Sequence, residues 1–454
     1  MTDELKPSSD EERHVGFLSY TLMILSMTIT TSVFFIGWIC FTLGLSLYQT
    51  LASALIGNVV VAVVMFLNGY PGLKHGIPFP FQLRYTFGRR GSVIPLSIRM
   101  MISLFWYGID GYIAAWAITE MILTIAGFAP EAVISQAHVY APFVFVAYLA
   151  FVCVIGSAEK LRGIKMLDTV AGPLLLAFFT FYIVYLLMSF PSPSLQSSGA
   201  RWLSGEFLTA IAVQTAWWAT IATNISDICR FNKGKERPFR SLFMPHILGL
   251  VIPQIFGTAL GWLAISVTNS AYSPIDVIVY YSPSFVVALF GLVFAALATA
   301  STNLTGDIPA VGNGISNFFR LSWRKSIVIS TVIAFFVGPW WALSESLDMA
   351  NYLTQFTTAY GSWLGPIAAV MIADYWVVKR RRIDVKELYR PLGAYESTSV
   401  KALLSLFIGI SVEYIIGIAT GTLRWYLIPF PGTDLSWYYG FITAFVVHVL
   451  ISRK

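Results

Sequence analysis

Apolar residues run along this chain in blocks of about twenty, the length a helix needs to cross the hydrocarbon core of a bilayer. Short polar stretches separate them. The pattern predicts twelve spans, near residues 17–39, 50–70, 93–126, 139–156, 166–190, 206–228, 243–267, 284–305, 327–346, 352–378, 400–421 and 434–451. No polar stretch exceeds roughly 20 residues, too few for a separate soluble domain. The reading is therefore one all-α membrane domain.

Two spans are interrupted in matching positions. Thr28, Thr30, Thr31 and Ser32 break the apolar run of the first span. Gln214, Thr215, Trp217, Trp218, Thr220, Thr223 and Asn224 break that of the sixth. Polar patches in two corresponding spans point to discontinuous helices of an inverted-repeat transporter. Unwound backbone there would offer carbonyls to a cation and helix ends to a solute. The bland alternative is that the hydroxyls bond back to carbonyls four residues earlier.

Two carboxylates lie within or beside apolar runs. Asp110 falls mid-way along the third span, and Asp307 toward the end of the eighth, just before Pro309. An ionisable group at a span centre costs at least about 2.5–3.5 kcal/mol, so function is the first hypothesis. Trp106 and Asp110 are four residues apart and share a helix face, as do Asn303 and Asp307. An indole with a carboxylate one turn away suits a flat polar ring, stacked on its face and bonded at its N–H edge.

Composition agrees. The chain has 454 residues, of which 57% are hydrophobic and 11% charged, against roughly 25% charged in a soluble protein. The net charge of +6 does not signal nucleic-acid binding. All but Arg99, Arg201 and Arg424 of the 29 basic residues fall in segments that alternate to one side of the twelve spans. The positive-inside rule then puts both termini in the cytoplasm, with the protein in the inner (plasma) membrane. The basic run Lys379 to Arg382 sets topology, with anionic lipid headgroups as natural neighbours. Met1 to Arg13 lacks the pattern of a cleaved signal peptide. Cys40, Cys153 and Cys229 show no metal spacing and read as buried thiols. His14, His75, His138, His246 and His448 are scattered, and none is assigned a proton-relay role. No HExxH, GxSxG or histidine cluster is present, so the chain is not read as an enzyme and needs no cofactor.

Several motifs are specific. They are Phe87-Gly88-Arg89-Arg90-Gly91-Ser92 with Ile94-Pro95, Ser103-Leu104-Phe105-Trp106-Tyr107-Gly108, and Ala298-Thr299-Ala300-Ser301-Thr302-Asn303. Gly365-Pro366, Ile372-Ala373-Asp374-Tyr375-Trp376, Arg380-Arg381-Arg382 and Leu388-Tyr389-Arg390 continue the series. Over nearly its whole length the chain resembles the nucleobase:cation symporter-1 family, carriers of nucleobases, hydantoins, allantoin and related vitamins. The resemblance implies a leucine-transporter-type fold of two inverted five-helix repeats, 17–190 and 206–378. A tail at 1–16 precedes them, and two additional helices follow at 400–454. It also implies that Trp106 and Trp218 sandwich the substrate ring, while Asp110 and Asp307 take the places of an edge-bonding glutamine and asparagine. Trp217 and Thr30 stand where the family's hydantoin carriers have a glycine and a glutamine, and Asn303 joins the same substrate set. Ser26, Ile29, Ala298, Ser301 and Thr302 fall on the family's sodium ligands, with hydroxyl and carbonyl oxygens that suit a hard cation.

The departures bear on substrate choice. An amide donates and accepts, whereas an ionised carboxylate only accepts. Two carboxylates favour donor-rich or cationic rings, such as aminopyrimidines, guanine-like edges or a charged vitamin. Two like charges also repel, so one could hold a proton. The expected function is sodium-coupled import of a small nitrogen heterocycle. The alternative is a proton-coupled carrier of a cationic vitamin or small amine using Asp110 and Asp307. No obligate protein partner is expected.

Overall fold

The computed structural model describes residues 5–158, 162–190, 201–268, 272–337, 349–390, 392–421 and 435–453, and side chains for all of these except 158 and 162–171. Regular structure among the described residues is helical, apart from one bridge between Val15 and Asn232. The helices are α1 Phe17–Thr28, α2 Ser32–Thr42, α3 Leu47–His75, α4 Phe79–Gly91, α5 Val93–Ile125, α6 Pro130–Ala158, α7 Arg162–Ser189, α8 Gly205–Asn224 and α9 Ser226–Cys229. They continue as α10 Phe239–Thr268, α11 Asp276–Tyr281, α12 Phe285–Phe319, α13 Trp323–Val337, α14 Met349–Val378, α15 Val385–Tyr389, α16 Val400–Thr420 and α17 Ser436–Ser452.

A helix overlies the described part of each predicted span. Eight are long and apolar enough to cross a membrane, and the α1–α2 pair makes a ninth. The other three, α8, α13 and α17, are shorter or less apolar by that measure. Residues 338–346 of the ninth predicted span, and residue 434 of the twelfth, lie outside the described residues. Large apolar side chains such as Phe143, Val154, Met188, Phe336 and Ile418 stand exposed on the outer helix faces. In water they would form an oversized sticky surface, whereas in lipid they are at home.

The first span breaks where expected. Helix α1 stops at Thr28, Ile29 leaves helical geometry (φ −77°, ψ 84°), and α2 restarts at Ser32 with a bend of 55°. Thr31 ties the break to its neighbour by donating to the Ala295 carbonyl at 2.8 Å.

The sixth span does not unwind at its polar patch, contrary to expectation. Helix α8 runs unbroken from Gly205 to Asn224 and pauses only at Ile225. Thr215 and Thr223 donate to the carbonyls of Ile211 and Ala219, four residues back, so the hydroxyls are satisfied without opening the helix. The eighth span also differs, continuing to Phe319 instead of ending near 305. A π-helical turn over Asn303–Asp307 precedes Pro309. Asp307 consequently sits in the interior of the span.

Packing follows a regular plan. α3 lies along α8, and α10 lies along α2; α1 packs on α7, and α8 on α14; α5 contacts both α6 and α12. Gly37 and Gly261 permit the α2–α10 contact, since a Cβ on Gly261 would stand 1.9 Å from the Phe34 carbonyl oxygen. The N-terminal tail closes one end of the bundle. Ser8 bonds Gly76, Arg13 reaches the Leu73 carbonyl, Val15 exchanges backbone hydrogen bonds with Phe231 and Lys233, and the Tyr389 hydroxyl donates to the Leu5 carbonyl. Four segments expected on one side of the membrane thus meet at one end of the molecule.

Candidate substrate and cation site

The break in the first span, the middle of α5, the middle of α8 and the π-turn of α12 converge on one small cavity. Thr30, Ser32, Trp106, Asp110, Trp217, Trp218, Thr220, Ile221, Thr302, Gly306 and Asp307 line it. Six of the seven residues expected to hold substrate are therefore brought together. The seventh, Asn303, stands one turn behind the lining, its amide donating to Asp307 at 3.1 Å and its carbonyl accepting from Tyr148 at 2.9 Å. That arrangement fixes the Asp307 carboxylate from the rear.

The indoles are held differently. Trp218 donates its N–H to Gln254 at 2.8 Å, and Gln254 donates on to Gln214 at 2.8 Å, so its plane is set by a buried amide relay. Trp106 meets Trp217 edge-on at 4.9 Å and packs against Phe356 and Tyr360. These contacts leave about 20 Å³ for the centre of a water-sized sphere. That is room for about one water molecule. A ring-sized solute would fit only after the side chains lining the cavity move apart.

Asp110 is 2% exposed, and one of its oxygens has no protein hydrogen-bond partner. Ser32 lies within hydrogen-bonding reach of the carboxylate. A buried carboxylate oxygen without a donor is costly, and such exceptions concentrate where a ligand or ion belongs.

Sequence reasoning missed a charge beneath this cavity. Arg99 is 1% exposed inside α5 and donates to the Thr220 carbonyl at 2.8 Å, to Asn224 Oδ1 at 2.9 and 3.1 Å, and to Ser103. Its charge acts on Asp307 and Asp227. Arg99 thus clamps α5 to α8 and supplies a counter-charge to the cavity. Its isolation in an apolar run was the available signal.

The expected cation ligands also meet. Ser26 and Ser301 hydroxyls lie 3.0 Å apart, and Thr302 Oγ1 donates to the Met27 carbonyl at 2.9 Å and to Ala298 at 3.3 Å. Ile29 occupies the non-helical turn directly after α1. The cluster is rich in oxygen and carries no formal charge, a chemistry suited to a hard monovalent cation.

Residues 7–442 match the family model described as permease for cytosine/purines, uracil, thiamine, allantoin. The chain belongs to this permease family. Two curated relatives are the purine-uracil permease of Arabidopsis thaliana, 24% identical over 90% of this chain and 70% of that protein, and the hydantoin permease of Microbacterium maritypicum, 26% identical over 98% and 88%. Among solved structures, a nucleobase-cation-symport-1 transporter closed around bromovinylhydantoin superposes with a TM-score of 0.82 at 23% identity, covering 99% of this chain and 94% of that one. A Na+-coupled sialic acid symporter superposes at 0.61 with 12% identity, covering 97% and 90%. This permease accordingly has the leucine-transporter-type fold. It is a multi-pass membrane transporter of small heterocycles, not an enzyme.

Proposed function

We propose that this permease imports a flat nitrogen heterocycle with a donor-rich or cationic edge, coupled to sodium, by alternating access. The carrying observation is the under-bonded Asp110 carboxylate in a cavity walled by Trp106, Trp217 and Trp218 and shared with Asp307. In this reading Trp106 and Trp218 stack on the ring, and Asp110 and Asp307 accept its N–H groups. Thr30, Ser32 and Thr220 border the edge, and Asn303 steadies Asp307. Sodium takes oxygens from Ser26, Ile29, Ala298, Ser301 and Thr302. The hydantoin ligand of the structural neighbour and the purine and uracil of the Arabidopsis relative support a ring of this size.

The packing plan supports two inverted repeats at 17–190 and 206–378, because exchanging spans 1 with 6, 2 with 7 and 5 with 10 maps its pairings onto one another. The basic loops, gathered with the N-terminal tail, support a cytoplasmic location for both termini.

A thermal-shift screen of nucleobases, aminopyrimidines, pyrimidine vitamins and small amines, with and without sodium, tests the substrate class. Uptake into proteoliposomes, with sodium replaced at constant pH and potential, tests the coupling. Sodium-independent uptake that follows the proton gradient would favour the second reading, coupling through Asp110 and Asp307. Two carboxylates in one cavity are the observation behind that alternative.

A further inference from the structure

A second pair of buried carboxyl groups lies at the opposite end of the bundle from the N-terminal tail. Glu120, on the last turns of α5, is fully buried. One of its oxygens accepts the Trp116 N–H at 2.9 Å, and the other has no hydrogen-bond donor. Asp276, 4% exposed, opens α11, the short helix between α10 and α12. Its Oδ2 accepts the Ser273 N–H at 2.8 Å, while its Oδ1 likewise lacks a donor. The two carboxyl groups lie within hydrogen-bonding reach of each other.

Ionised carboxylates can only accept, so two of them in contact repel unless a proton lies between them. Other elements supply little compensation. His138 of α6 faces the pair across Trp116, with ring centroids 4.6 Å apart, and its charge would act on Asp276. Tyr182 of α7 donates to the Val277 carbonyl, and Tyr280 engages Glu131 at the rim. The neighbouring stretches 252–268 of α10 and 285–302 of α12 contain no ionisable residue. No lysine or arginine is among the groups acting on Glu120.

We propose that Glu120 and Asp276 form a proton-binding site, distinct from the substrate cavity, in which one proton bridges Glu120 Oε2 and Asp276 Oδ1. Because Glu120 rides on the helix that carries Trp106 and Asp110, parting α5 from α11 hydrates both carboxylates and releases the proton. Proton uptake therefore favours closure of this end, and rising pH favours its opening. The packed form binds one more proton than the parted or unfolded chain, so stability is greatest at low pH and is lost as pH rises.

The test is the melting temperature of the purified full chain in lipid nanodiscs from about pH 5 to about pH 9. In Glu120→Gln the amide oxygen still takes the Trp116 N–H, and the NH2 donates to Asp276 at every pH. Wild type loses stability with a one-proton slope, about a tenfold fall in the folded-to-unfolded ratio per pH unit. E120Q keeps the acid-side melting temperature, and its slope falls below that of wild type by one proton. Asp276→Asn places the donor on the other partner and gives the same flattening, which serves if E120Q does not fold. Asp110 and Asp307 are unchanged in both variants, so the difference from wild type reads the Glu120–Asp276 pair and not the substrate cavity. A slope unchanged in a folded E120Q or D276N, or a flat wild-type profile, overturns the proposal.

Discussion

Asp110→Asn exchanges one oxygen for an NH2 group without changing shape, so it isolates the charge of the residue on which the substrate proposal turns. The wild-type carboxylate is 2% exposed and holds one oxygen without a donor. A hydrogen bond to a charged acceptor contributes about 1.5–3 kcal/mol, roughly twice its neutral counterpart. For a ring that presents N–H donors or a positive charge to this oxygen, losing such a bond weakens binding by about 10- to 150-fold. For a ring that presents a carbonyl there, the new NH2 is a donor, and binding is unchanged or improved. Removing an under-bonded buried charge costs the fold nothing, so the melting temperature without ligand holds or rises. Affinities of neutral carbonyl-rich and donor-rich or cationic rings, measured by titration calorimetry on both proteins, check this. The reasoning fails if both ligand classes shift by the same factor, or if neither shifts.

Two further outcomes concern the scaffold. Asn224→Ala takes the shared acceptor from two Arg99 N–H groups and leaves a buried guanidinium on the Thr220 carbonyl and Ser103. It is expected to cost about 2–4 kcal/mol, seen as a lower melting temperature, and Asn224→Asp is expected to recover most of it; an unchanged Asn224→Ala melt contradicts the clamp. Gly261→Ala drives a methyl into the Phe34 carbonyl of α2, where backbone must yield. The expected penalty is about 1–3 kcal/mol or more, with reduced folded yield in membranes, and a wild-type melting temperature contradicts the close approach of α2 and α10.

What could be read from the sequence, and what could not, divides by the range of the interaction. Span positions follow from the bilayer's length scale, which acts on each block alone. The break after Thr28 follows from a local run of hydroxyl residues, and the pairing of Trp106 with Asp110 from helical spacing. The sixth span carried the same local signal but folded straight, because Thr215 and Thr223 found acceptors within their own helix while Gln214 found Asn58 and Gln254 on neighbours. Gly306, Asp307 and Pro309 read as the end of the eighth span, yet a π-turn carries the helix past them. Arg99 and Glu120 show the limit most clearly. Arg99 bonds partners 121 and 125 residues away, and Glu120 meets a carboxyl on the helix after the seventh span. A lone charge in an apolar run signals that a partner must exist, because its desolvation has to be offset. Only the fold says whether the partner is an amide that locks two helices or an acid that traps a proton. Those two outcomes give opposite responses to an amide substitution: an alanine at Asn224 strands a charge, whereas a glutamine at Glu120 supplies permanently the donor that a proton supplies only below its own pH.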